Sequence, residues 1–203
     1  MGFFENTRKP QGFGGKIMVK MMNSGHSKLA KWGFTKIYAK PDAKVLDIGC
    51  GGGANIANWL AKCTNGHVTG IDYSKVSVEE SKKLNAIAIN QGKCDIVCGD
   101  VSSMPFDDEA FDCVSAFETV YFWEDLEKCF AEVHRVMKNG ATFLICNESD
   151  GTNSKDEKWA KKIGGMKIYN EMQLRTMLEK VGFCDIKTFV DAKKHWLCIV
   201  ANK

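Results

Sequence analysis

The sequence predicts an α/β fold, a mostly parallel sheet covered by helices on both faces and closed by one antiparallel strand. Three observations predict it. Short apolar runs alternate with stretches of helical spacing from residue 45 onward, a rhythm that requires parallel strands joined by crossover helices. The run at 45–48 opens directly into Gly49, Gly51, Gly52 and Gly53, glycines that let the chain turn sharply and let a ligand approach main-chain N–H groups. The last two runs, 184–191 and 195–201, are separated only by Ala192, Lys193 and Lys194. A parallel crossover needs about a dozen residues or more, so this pair is a hairpin.

Taken in order, Val45 to Ile48 reads as a buried strand, and residues 54–62 carry helical spacing directly after the glycines. A second strand covers 67–71 and ends on Asp72; Ser74 then suits an N-cap for a helix over 76–90, with Val76, Leu84 and Ala88 at helical intervals. Residues 94–98 form a third strand closed by Gly99 and Asp100, and 111–117 a fourth. A helix over 126–137 is expected to end at Asn139-Gly140, a pair suited to a left-handed cap, before a fifth strand at 141–147. Residues 148–165 read as a loop, and 170–181 as a helix stopped by Gly182.

A chain of 203 residues, 44% hydrophobic and 26% charged, suits one soluble domain of ordinary size. No apolar run approaches the roughly 20 residues that span a bilayer, and the N-terminus lacks the apolar core of a secretory signal; a cytoplasmic location is the expectation. The nine cysteines are scattered without a CxxC pair, which fits buried reduced thiols better than disulfides or zinc. Charge is uneven. Residues 1–40 hold eight Lys or Arg against Glu5, whereas the other 163 residues hold twenty basic and twenty-four acidic side chains. The division expected is therefore an N-terminal helical arm or lid at 1–40 and a catalytic domain at 41–203.

Asp47, Asp72 and Asp100 each fall at a strand end, where an open α/β sheet binds its ligand. Each suits an adenosine cofactor: Asp47 beside the glycine loop, Asp72 for two ribose hydroxyls, and Asp100, with the Val101 N–H, for the adenine edge. Two cofactor classes use a glycine loop of this kind. A dinucleotide places its pyrophosphate at the helix end, whereas S-adenosylmethionine carries a sulfonium and an ammonium and calls for a nearby carboxylate, which Asp47 supplies.

These motifs make the chain resemble the class I S-adenosylmethionine-dependent methyltransferases, in the small-molecule, methyltransferase type 11-like branch. The resemblance covers residues 40–201 and rests on DIGCGGG, IDYS, GDVSSMPF, FDCVSAFETVYFW, EVHRVMKNGATFLI and the terminal hairpin. It implies a Rossmann-like three-layer sandwich with a seven-stranded sheet in the order 3-2-1-4-5-7-6, strand 7 antiparallel. It also implies Gly49, Cys50 and Gly51 under the methionine part, Asp72 with Tyr73 and Ser74 around the ribose and adenine, Asp100 and Val101 at the adenine edge, and the Phe117 carbonyl near the ammonium. An NAD-dependent oxidoreductase is the minor alternative, since Gly49, Gly51 and Ala54 fit GxGxxG/A; Asp47, Asp100 and the hairpin count against it. A catalytically silent adenosyl-cofactor binder or partner-regulated protein is the other.

Methyl transfer is an in-line displacement in which positioning supplies much of the rate. Candidate catalytic groups are Glu148 after strand five, His26 in the arm and Tyr121 in the Tyr121-Phe122-Trp123 run, with S-adenosylhomocysteine as product. The arm is expected to share one apolar face among Ile17, Met18, Met21 and Met22, opposite Lys16, Lys20 and Asn23. A small-molecule acceptor is expected, without nucleic acid, metal or a transmembrane segment; the basic arm allows weak surface contact. The acceptor atom and the oligomeric state are not legible.

Overall fold

The computed structural model describes residues 5–153 and 156–203; Phe3 and Phe4 of the expected arm lie outside the described residues. Seven strands form one sheet: β1 (Lys44–Ile48), β2 (His67–Asp72), β3 (Cys94–Cys98), β4 (Phe111–Phe117), β5 (Met137–Asn147), β6 (Cys184–Asp191) and β7 (Trp196–Asn202). Their order is β3-β2-β1-β4-β5-β7-β6. β1 pairs in parallel with β2 and β4, while β7 runs antiparallel to both β5 and β6. The expected α/β sandwich and its closing hairpin are both present.

The central strands read as unbroken apolar runs because both sheet faces are covered. The alternation of strand side chains sorts them into two cores. Leu46 and Ile48 join Phe130, Leu174 and Leu178 on one face, while Val45 joins Leu29, Trp59 and Val68 on the other. The covering helices in the first half of the chain are α1 (Glu5–Arg8), α2 (Gly12–Gly25), α3 (Ser27–Gly33), α4 (Ala54–Lys62), α5 (Lys75–Leu84) and α6 (Ala86–Asn90). The second half adds α7 (Leu126–Val136), α8 (Asp156–Lys162) and α9 (Glu171–Val181). Caps set their ends: Ser74 accepts from the Ser77 N–H, Asp125 from the Lys128 N–H, and Asn170 forms a capping box with Gln173.

Four expectations need correction. The helix expected over 76–90 breaks at Asn85, whose side-chain amide is drawn off to the Ser81 and Gly53 carbonyls at 3.0 and 3.1 Å. The helix before β5 ends at Val136 with Met137 as its cap, so Gly140, at φ +76°, sits within β5 and not at the helix terminus. The 148–165 loop contains α8. In the arm the apolar face is rotated from the one expected: Met18 and Val19 are buried, whereas Ile17 and Met21 share an exposed stripe with Phe13. What wins is proximity to the glycine loop, since a Cβ at Gly52 would meet Val19 and Asn23. No helix among the described residues is long and apolar enough to cross a membrane.

Candidate functional site

A cavity of about 1360 Å³ lies over the carboxyl ends of the parallel strands, roofed by the arm and walled by the segments after β4 and β5. One end is built by the glycine loop. β1 ends at Ile48, and Gly49 turns the chain at φ +68° with Thr119 packed so closely that any Cβ would collide with its side chain. The Gly49 and Cys50 N–H groups then bond the Ile71 carbonyl at 2.8 and 3.1 Å, tying the loop to the end of β2.

Asp72, at the end of β2, lines the cavity and accepts from the Gly51 N–H at 3.0 Å and the Ser74 N–H at 2.8 Å. Burial raises its pKa, and these two bonds oppose the rise. Each carboxylate oxygen keeps acceptor capacity toward the cavity. Asp100 lines the same end and accepts from the Ser102 N–H at 2.8 Å. Among the described residues the fully buried Ser77 hydroxyl has no hydrogen-bond partner.

The structure brings Gly49, Cys50, Gly51, Asp72, Tyr73, Asp100, Val101 and Phe117 to the cavity wall, together with the catalytic candidates His26, Tyr121 and Glu148. It places Asp47 and Ser74 one layer below. Strand alternation turns Asp47 toward the Val45 face, where it is 2% exposed and accepts from the Ser115 hydroxyl at 2.6 Å; Ser115 in turn accepts from the Trp59 indole at 2.9 Å. Burial first, then Asp72 nearby, pushes the Asp47 carboxyl up to about 7 against the Ser115 bond. Ser74 caps α5 and donates to the Pro10 carbonyl at 2.7 Å, anchoring the arm. Tyr73 donates to the Arg8 carbonyl, and Arg8 reaches across to Glu124 at 2.7 Å.

The other end of the cavity holds an acid that the sequence reading missed. Glu118 follows Phe117 and is held at φ +57°, a conformation non-glycine residues rarely adopt. It accepts from the Tyr121 hydroxyl at 3.0 Å and from the Glu148 N–H, while the Ser149 N–H bonds Tyr121 Oη at 3.1 Å. Desolvation, then the Glu148 charge, pushes Glu118 up to about 8. His26 caps the junction of α2 and α3, and its Nε2 lies 3.9 Å from Glu148. Burial lowers its pKa, and Glu148 opposes this. The signal for Glu118 was the one used for Asp47, Asp72 and Asp100, an acid directly after a strand-like run. Tyr121, Phe122, Trp123, Leu29, Ile163 and Met166 supply apolar lining to the cavity.

Seven of the nine free cysteines are buried, and Cys98 and Cys184 are exposed. Cys50 and Cys129 are the ones at the cavity wall.

Comparisons with known proteins place this geometry. Residues 46–145 match the family model described as a methyltransferase domain. Cycloartenol-C-24-methyltransferase 1 of Oryza sativa subsp. japonica is 39% identical over 106 residues, 52% of this chain and 30% of that protein. The match thus spans less than a third of that curated relative's length. A solved SAM dependent methyltransferase from Aquifex aeolicus superposes with a TM-score of 0.76 at 17% identity, covering 92% of this chain and 97% of that one. Phosphoethanolamine N-methyltransferase 2 of Haemonchus contortus superposes with a TM-score of 0.81 at 15% identity, covering 100% of this chain and 61% of that one.

Proposed function

We propose, from the premise that this chain belongs to the class I S-adenosylmethionine-dependent methyltransferases, that it moves the methyl group of that cofactor to a small molecule with an apolar body and a polar end. One observation carries the reading: a single cavity is lined by Gly49, Gly51, Asp72 and Asp100 and also by Glu118, Tyr121 and Glu148, together with aromatic and aliphatic side chains. A cofactor at the first end and an acceptor at the second would share that space. The relative named for cycloartenol C-24 methylation supports an apolar acceptor.

The residues present fit the cofactor. The open backbone at Gly51, where a Cβ would meet nothing within 4 Å, and the spare lone pairs of Asp72 are features an adenosyl group would use. When bound, S-adenosylmethionine supplies an electrophilic methyl on a sulfonium. The chain's own part is to orient and to exclude water. Asp72 holds the loop at Gly51 in place while presenting its free lone pairs, and Asp100 with the Val101 N–H faces the cavity at the adenine end. Asp47 acts from beneath, as a negative charge or dipole under the loop, without reaching the cavity.

At the acceptor end, Tyr121, Phe122 and Trp123 would pack against the apolar body. Glu118 and Glu148 would orient a hydroxyl or amine, and an acceptor that must lose a proton would find a carboxylate with raised proton affinity in Glu118. The arm acts as a lid. It is fastened by Tyr73 to Arg8, Ser74 to Pro10 and Arg8 to Glu124, each contact bridging the arm and the domain beside the cavity.

Calorimetry with S-adenosylhomocysteine tests the reading. One site per chain is expected, together with cofactor turnover in a screen of amphipathic alcohols and amines. Absence of binding by folded protein would overturn it, and binding without turnover across the screen would favour a silent cofactor binder.

A further inference from the structure

Three potential metal ligands converge at the acceptor end of the cavity from three separate elements: His26 between α2 and α3, Glu118 after β4, and Glu148 after β5. One ligand atom from each lies within 4.8 Å of the other two. Donor atoms around a first-row ion with bonds of about 2.0–2.2 Å sit roughly 3–4 Å apart, so a small side-chain turn closes the set.

We propose that His26, Glu118 and Glu148 bind a first-row divalent metal ion, with coordination positions left open toward the cavity for an oxygen-bearing acceptor. One imidazole nitrogen with two carboxylates suits Mn²⁺, Fe²⁺, Co²⁺ or Zn²⁺ better than Ca²⁺ or Mg²⁺, which favour all-oxygen shells.

Charge supports the assignment. Among the described residues neither glutamate forms an ion pair with Lys or Arg, and His26 at 3.9 Å is the partner of Glu148. Two carboxylates whose ligand atoms lie within 4.8 Å of one another repel, and a cation between them relieves that repulsion. The supporting shell is also built. Tyr121 and the Glu148 N–H fix the Glu118 carboxylate, and the Ser149 N–H fixes Tyr121; ligating carboxylates are held by such outer bonds. The inference rests on the methyltransferase reading only for what the ion would hold, an acceptor oxygen; the binding stands on these residues alone.

The test uses full-length protein stripped with a chelator and titrated with Mn²⁺ by calorimetry and with Co²⁺ by visible absorption. S-adenosylhomocysteine binding is measured on the same samples. One Mn²⁺ per chain is expected, weakened at least about 10-fold in His26→Ala and in Glu148→Gln, with Co²⁺ giving bands free of thiolate charge transfer. Both variants change partly exposed side chains, and circular dichroism checks their fold. No Mn²⁺ binding, equal affinity in the variants, or a thiolate band placing Co²⁺ on Cys98 or Cys184 would overturn the site. If metal binding fails while S-adenosylhomocysteine binds, only this inference falls; if the cofactor product also fails to bind, the methyltransferase reading falls.

Discussion

Asp47 makes the stability of this protein depend on pH in a direction opposite to that of an ordinary surface carboxylate. Its folded pKa of about 7 stands above the ordinary value of 3.8, so between those values the native state holds a proton that the unfolded chain has released. Stability from this group therefore falls as pH rises through the window and levels off above the folded pKa. Between pH 5 and pH 8 the loss comes to roughly 2–3 kcal/mol, nearly two pKa units at about 1.4 kcal/mol each. Asp47→Asn keeps an acceptor for the Ser115 hydroxyl and cannot ionise. The new amide N–H pair costs about 1–3 kcal/mol if left unbonded, but that cost is independent of pH and cancels when the two pH values are compared. Urea unfolding of both proteins at pH 5 and pH 8 measures the difference. Wild type should lose roughly 2–3 kcal/mol more than Asp47→Asn over that interval. Equal losses would refute the claim that this buried carboxyl carries the pH dependence.

Other substitutions separate binding from stability. Asp72→Ala should weaken S-adenosylhomocysteine at least about 10-fold by calorimetry, because both its ligand lone pairs and its tie to the Gly51 N–H vanish. Gly49→Ala should cost at least about 1–3 kcal/mol in urea unfolding, since it imposes a Cβ on a positive φ and on Thr119. Ser74→Ala removes the cap of α5 and the Pro10 tether together; a loss of about 1–2 kcal/mol is expected, with faster proteolysis of the arm than of the domain. Tyr121→Phe should lower turnover while leaving S-adenosylhomocysteine affinity within about 2-fold, because its hydroxyl serves the Glu118 end of the cavity.

The fold was legible because its strands are buried on both faces and therefore appear as unbroken apolar runs, and because three residues between the last two runs permit only a hairpin. The cofactor end was legible for a related reason: glycines and aspartates at strand ends are set by local chain geometry. What escaped depends on register between strands. Phe117 pairs with Cys146 across β4 and β5, and this alone sets Glu118 next to the Glu148 N–H, 30 residues away in sequence. The arm's face escaped for the same cause. Helical periodicity grouped Ile17, Met18, Met21 and Met22 on one face, and packing against Gly52 and α5 buries Met18 and Val19 instead. Asn85 broke a helix that its neighbours would have continued, because the Gly53 carbonyl lies within reach of its amide.

The two ends of the cavity are built from different materials, and this has a consequence for specificity. The cofactor end is made of backbone and of acids fixed by the sheet: moving Asp72 by even an ångström would break its bonds to Gly51 and Ser74. The acceptor end is assembled from the arm, the segment after β4 and the α8 region, which meet through side-chain contacts such as Arg8 with Glu124 and through the bond from the Lys167 N–H to the Tyr121 carbonyl at 2.8 Å. Substitutions at Phe122 or Met166 would reshape the acceptor wall without touching a strand. Exchanging these two side chains for smaller ones should therefore shift the acceptor range in a turnover screen while S-adenosylhomocysteine affinity stays within about 2-fold, because no bond to the glycine loop is altered. A parallel fall in cofactor affinity would show that the two ends are coupled through the arm, whose Val19 and Asn23 rest on Gly52.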